Sequence, residues 1–138
     1  MSIKYLPHTA DIRMELVGKS IQELYTLAVK GMCDILKKDF CAQTNTFNKK
    51  AIIETRASDY TNLLIDFLSE VLSNSYVEKS IFCKVNILEL SEFKIKAEVI
   101  GSKVEMFDEE IKAVTYHEAN LYRDEENQLW KTCIIFDI

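Results

Sequence analysis

From residue 11 the chain alternates. Ile12, Met14 and Leu16 fall on one side and Arg13, Glu15 and Val17 on the other, the two-residue period of a half-buried strand. Residues 1–5 before it also have a strand pattern. Over 20–38 the period lengthens: Ile21, Leu24, Tyr25, Leu27, Ala28, Met32, Ile35 and Leu36 recur every three or four residues, and Ser20 with Glu23 has the form of a capping box. A helix is predicted there. Residues 40–48 are polar and read as a loop, and 49–56 have the length and residue types of a strand. A second helix starts at Ser58 or Asp59. Its stripe of Leu63, Leu64, Phe67, Leu68, Val71 and Leu72 is unbroken, with Asp66, Glu70 and Asn74 off it, so this helix packs on a sheet.

The remainder is strand-like. Residues 80–90 and 93–100 are close enough across Ser91 and Glu92 to form a hairpin. Residues 109–117 and 129–138 make a final pair joined by the polar stretch 123–128. In the last run Trp130, Thr132, Ile134, Phe136 and Ile138 share one face, and Lys131, Cys133, Ile135 and Asp137 the other. The expected fold is therefore α+β: two helices on one mostly antiparallel sheet, two layers, in a single domain spanning 1–138.

Composition narrows the class. With 48% hydrophobic and 28% charged residues but only three glycines and one proline, the chain is globular rather than disordered. The net charge of -5 and the short basic pairs Lys37-Lys38 and Lys49-Lys50 argue against tight non-specific phosphate binding, so any action on nucleic acid goes through a partner. No apolar stretch approaches the roughly 20 residues that span a bilayer, and no signal-peptide core follows Met1. An intracellular protein without membrane attachment is expected. Cys33, Cys41, Cys83 and Cys133 match no zinc spacing and read as reduced, mostly buried thiols, Cys41 being the best placed for exposure.

The candidate chemistry lies at the two ends. Pro7-His8-Thr9-Ala10-Asp11 stands near the start, and the chain stops at Phe136-Asp137-Ile138. If the strands carrying these segments are neighbours, two aspartates and a terminal carboxylate gather, and such a cluster repels itself unless a hard cation sits among them. On spacing alone, Asp11 capping a turn and Asp137 solvated at an edge is the favoured reading.

Four segments together resemble the archease family: His8-Thr9-Ala10-Asp11, Leu63-Leu64-Ile65-Asp66-Phe67-Leu68-Ser69-Glu70, Ile111-Lys112-Ala113-Val114-Thr115-Tyr116-His117, and Ile135-Phe136-Asp137-Ile138. The likeness runs over essentially the whole chain. It departs from the family over 101–110, which is short and lacks the usual glycine-containing stretch. The resemblance implies nested strand-helix-strand-strand modules and a small accessory factor of the RtcB-type RNA ligase. Such a factor promotes metal-dependent guanylylation of the ligase and its repeated turnover in tRNA splicing and RNA repair.

By motif position, Asp11, Asp137 and the α-carboxylate of Ile138 would then be metal ligands, a set that favours Ca²⁺, Mg²⁺ or Mn²⁺ over zinc. His8 would ligate directly or orient Asp11, or simply satisfy a backbone carbonyl. Lys112 would pair with the carboxylates or reach a nucleotide phosphate, His117 would carry a proton, and Glu70 would belong to an acidic rim. The chain would have no catalytic residue of its own. It would meet tRNA only through the ligase, in the cytoplasm, and in the nucleus as well if the source is eukaryotic. The rival readings are a metal-bound adaptor or chaperone of a tRNA-modifying enzyme, and a stand-alone metal-dependent hydrolase.

Overall fold

The structure of the protein, a computed structural model, describes residues 1–7 and 11–138; the predicted candidate His8 and the rest of 8–10 lie outside the described residues, as does the side chain of Pro7. Strands β1 (Ser2–Pro7) and β2 (Asp11–Gly18) pair antiparallel, and β2 buries Met14 and Leu16 on its inner face. Helix α1 (Ile21–Leu36) starts at an extended Ser20 whose Oγ accepts the Glu23 N–H at 3.1 Å. The other half of the predicted capping box differs. Glu23 Oε1 accepts from the Lys19 N–H at 3.1 Å and the Met1 ammonium at 2.9 Å, because β1 brings a charged donor to this helix start.

Part of the stretch read as a loop is a single helical turn, α2 (Phe40–Gln43). None of its residues is buried, so it leaves no periodic trace in the sequence. After β3 (Lys49–Arg56), helix α3 (Tyr60–Glu78) is capped by Asp59, whose carboxylate accepts the Asn62 N–H at 2.8 Å. Its whole predicted stripe is buried, together with Ile65. Strands β4 (Ser80–Leu90) and β5 (Lys94–Lys103) form the expected hairpin.

At the C-terminal end the long predicted pair becomes three strands. β6 (Ala113–Thr115) and β7 (Tyr122–Asp124) pair with different stretches of β8 (Leu129–Asp137), and β7 occupies part of the predicted connection. Three residues hold too few alternations to register as a pattern.

The described strands form two antiparallel sheets where alternation predicted one: β1-β2-β8-β6 with β7 also on β8, and β3-β5-β4. Alternation tells which face a strand buries, not which neighbour it takes. The α+β class holds, with the helices covering both sheets. α1 packs on β1, β2 and β8 and also on β4; α3 packs on β3, β4 and β5 and on β6. Tyr25 of α1 and Phe67 of α3 stack with centroids 6.1 Å apart, and the Tyr25 hydroxyl donates to the Tyr60 carbonyl at 2.6 Å.

The expectation of four reduced thiols is overturned. Cys41 and Cys83 are joined by a disulfide with a Cα–Cα distance of 5.5 Å, while Cys33 is a buried free thiol and Cys133 a half-buried one. β4 bulges at this point, and Cys83 is the extra residue between Phe82 and Lys84. Gly101 permits the bulge: a Cβ there would stand 1.8 Å from the Ile81 carbonyl oxygen. A pairing across 42 positions, set by a bulge and a helical turn, has no signature in cysteine spacing.

Candidate functional site

The two chain-end motifs do meet. Asp11 opens β2, Asp137 closes β8, and the two are direct partners in the β2–β8 ladder, so their side chains leave the same face of the sheet. Directly opposed residues in an antiparallel pair have Cα atoms about 4.5–5.5 Å apart, close enough for two carboxylates to share a cation. On the other side of β8, Asp137 faces Ala113, and its carbonyl accepts the Lys112 N–H at 2.7 Å. Lys112 and Ile138 are therefore the next residues beyond that ladder, at the same end of the sheet. Asp11, Asp137, Ile138 and Lys112 arrive from three separated parts of the chain.

Around this point the charges are mixed. Arg13, two residues on from Asp11, holds its Nε 4.0 Å from Asp11 Oδ1 and its Nη1 2.7 Å from Glu118 Oε2. His117 is exposed, with Nε2 3.7 Å from the other oxygen of Glu118, which Arg13 links in turn to Asp11. Asp11 also lines a cleft of about 490 Å³ between β1, β2 and the C-terminal part of α1. Asp34, Glu109 and Lys38 stand around it over a floor of Tyr5, Leu6, Ile12 and Ile35. The Tyr5 hydroxyl donates to the Gly31 carbonyl at 3.0 Å, and burial, with Asp34 nearby, pushes the phenol up to about 12.

Glu70 lies elsewhere. It lines a separate polar cleft with Glu54, Thr55, Arg56, Asp66, Ser69 and Tyr116, and the Tyr116 hydroxyl donates to the Asp66 carboxylate. That bond raises the Tyr116 pKa and ties the Leu63 to Glu70 motif to the Lys112 to His117 motif. The acidic wall of the Asp11 cleft comes instead from Asp34 and Glu109. Sequence reasoning missed both, and nothing local marks them, since they come from a helix end and an irregular connection. Arg13 was findable: it shares the outward face of β2 with Asp11 at a spacing of two.

Two opposed aspartates offer oxygen donors alone, the kind a hard cation takes. Among the described residues no group of three or more His, Cys, Asp or Glu is placed to hold a metal ion, and His8 lies outside the described residues.

Fold and site together define a small α+β protein that pairs its N-terminal motif with its C-terminal strand to present carboxylates at one sheet end. Residues 4–138 match the Archease protein family (MTH1598/TM1083), and the chain belongs to that family. It is 31% identical to the protein archease of Methanosarcina mazei, over 98% of this chain and 94% of that one. The solution structure of protein 1598 from Methanobacterium thermoautotrophicum superposes with a TM-score of 0.79 at 23% identity, covering 99% of this chain and 98% of that one. A crystal structure from Thermotoga maritima, described as "an archease, possible chaperone", gives 0.60 at 21% identity over 98% and 96% of the two chains.

Proposed function

We propose that this protein is an accessory activator of an RtcB-type RNA ligase, promoting the ligase's metal-dependent guanylylation and its repeated turnover in tRNA splicing and RNA repair. The observation that carries this reading is the direct opposition of Asp11 and Asp137 in the β2–β8 ladder, with Lys112 bonded to the same strand end, in a chain of the archease family. Asp11, Asp137 and the Ile138 carboxylate would hold a divalent cation, Ca²⁺, Mg²⁺ or Mn²⁺, which when bound supplies positive charge to phosphate oxygens. Arg13 brings positive charge beside Asp11 and is itself held by Glu118. The Lys112 ammonium, fixed at its backbone by the bond to Asp137, is offered to a nucleotide phosphate on the ligase. The covalent chemistry belongs to the ligase, and contact with tRNA is indirect. Among the described residues no helix is long and apolar enough to cross a membrane, which accords with work in the cytoplasm beside that partner.

The test is multiple-turnover RNA ligation with purified ligase, GTP and a divalent ion, with thermal melts alongside. Asp11→Ala, Asp137→Ala and Lys112→Ala should each abolish stimulation while leaving a cooperative melt. Full stimulation by all three variants would refute the assignment, and phosphoester cleavage by the protein alone would favour a hydrolase.

A further inference from the structure

The disulfide ties the connection between α1 and β3 to strand β4. The stretch 37–48 runs from the end of α1 to the start of β3, and its helical turn α2 has no fully buried residue, Phe40 and Cys41 resting half-buried against the core. Asp39, the residue before that turn, sits in the left-handed region at φ 60° and makes no side-chain capping bond. Apart from the Cys41–Cys83 bond, the middle and far end of the strap are held by the half-buried Phe40 and by a few polar contacts. Lys84 lies over the Phe47 ring at 4.6 Å, and the Ser102 hydroxyl donates to the Thr46 carbonyl. Both cysteines are half-buried, within reach of a solution thiol, whereas Cys33 is sealed in the core.

The other end of the strap touches the candidate site. Lys37 Nζ is 3.4 Å from Asp108 Oδ1, and the Lys38 N–H donates to Asp108 Oδ2 at 3.2 Å. The Asp108 N–H in turn donates to the Leu36 carbonyl at 2.8 Å. Lys38 and Glu109, on either side of this junction, both line the Asp11 cleft. Freedom in the strap therefore becomes freedom in that cleft's wall.

We propose that Cys41–Cys83 is a thiol–disulfide exchange site whose co-substrate is a dithiol, and that its reduction releases the 37–48 strap and loosens the wall of the Asp11 cleft. One thiolate of the dithiol attacks a sulfur of the pair, breaking the Cys41–Cys83 bond and forming a mixed disulfide. The second thiol of the reductant then displaces the remaining protein sulfur. Two electrons and two protons pass to the protein, which ends with two thiols, and the reductant ends as a disulfide. In a reducing compartment the clasp stands open, and oxidation closes it. The release of the strap stands on its own; its effect on cation binding rests on the function proposed above.

The experiment equilibrates the full chain in glutathione buffers from oxidised to reduced, and separately with dithiothreitol. It counts thiols by maleimide mass labelling, follows backbone hydrogen exchange, and titrates Ca²⁺ and Mn²⁺. Reduction should raise exchange roughly tenfold over 37–48 and 104–109 while the rest of the chain stays protected, and should weaken cation affinity at least about fivefold, the low end of coupling between sites. Cys41→Ser should mimic the reduced state under oxidising conditions. Labelling of both Cys41 and Cys83 at every glutathione ratio would overturn the proposal. So would exchange over 37–48 and 104–109 that is unchanged on reduction while only the slow exchange of the core rises, which marks a crosslink that is only structural. Equal cation affinity in both states would overturn the coupling. If neither state binds a cation while the strap still opens, the clasp is upheld and the metal reading fails.

Discussion

At the scale of single residues, the polar groups divide into those that hold the fold and those that leave it free to act. Tyr5 and Cys33 belong to the first kind. Burial raises the Cys33 thiol from its ordinary 9.0 to about 12, and burial with Asp34 raises the Tyr5 phenol from 10.0 to about 12. Both hold their protons more tightly when folded, so the stability they contribute is complete below pH 9 and is lost as pH rises toward 12. Stability measured in urea should fall across that range. Tyr5→Phe should remove the part of the decline lying between pH 10 and 12, at a cost near neutrality of about 1 kcal/mol for the lost bond to Gly31. In the function proposed above, Asp11 and Asp137 belong to the second kind. Replacing either with asparagine should weaken Ca²⁺ binding by calorimetry yet leave the apo melting temperature level or slightly raised, since one of two opposed carboxylates is gone. An apo melt lowered by many degrees would mean that these residues serve the fold.

At the scale of elements, local chemistry and packing agree except at a few joints. The stripe of α3 is legible because a helix against a sheet must repeat its apolar residues every three or four positions, and Leu64 and Phe67 on it are fully buried. Phe67→Ala should destabilise by roughly 3–5 kcal/mol through the cavity it leaves, and Leu64→Ala by roughly 2–5, both read from denaturant midpoints. The end of α3 is a joint where sequence and conformation disagree: Lys79 closes the helix in the left-handed region at φ 47°, a place that suits glycine. Lys79→Gly should stabilise by about 0.5–1 kcal/mol by relieving that conformation. Gly101 is the reverse case. Gly101→Ala drives a Cβ into the Ile81 backbone, so the β4 bulge at Cys83 must shift; the expected outcomes are lost stability and slower closure of the Cys41–Cys83 bond under oxidising buffer.

At the scale of the whole molecule, the two sheets are held together by shared helices, and one covalent bond ties α2 to β4 of the three-stranded sheet. In the chain-entropy model a crosslink across 42 positions stabilises by about 4 kcal/mol, so wild type in dithiothreitol should unfold at a clearly lower urea midpoint than the oxidised protein, with Cys41→Ser matching the reduced curve. The sequence by itself determined what repeats locally. Both long helices and their N-terminal starts, the faces of β2 and β8, and the α+β class follow from periods of 3.6 and 2, which the backbone imposes within a few residues. It also marked Asp11, Asp137 and Lys112 through motifs carried by contiguous residues. What only the tertiary structure decided is everything that depends on which distant segments become neighbours. The split into two sheets, the short strands β6 and β7 on β8, the register that sets Asp11 against Asp137, the walls lent by Asp34 and Glu109, the Tyr116 to Asp66 bond and the Cys41–Cys83 disulfide are all of this kind. The physical reason is that a strand's alternation fixes the face it buries but leaves its partner open, and partner choice is settled by packing around a common core rather than by any one stretch of chain.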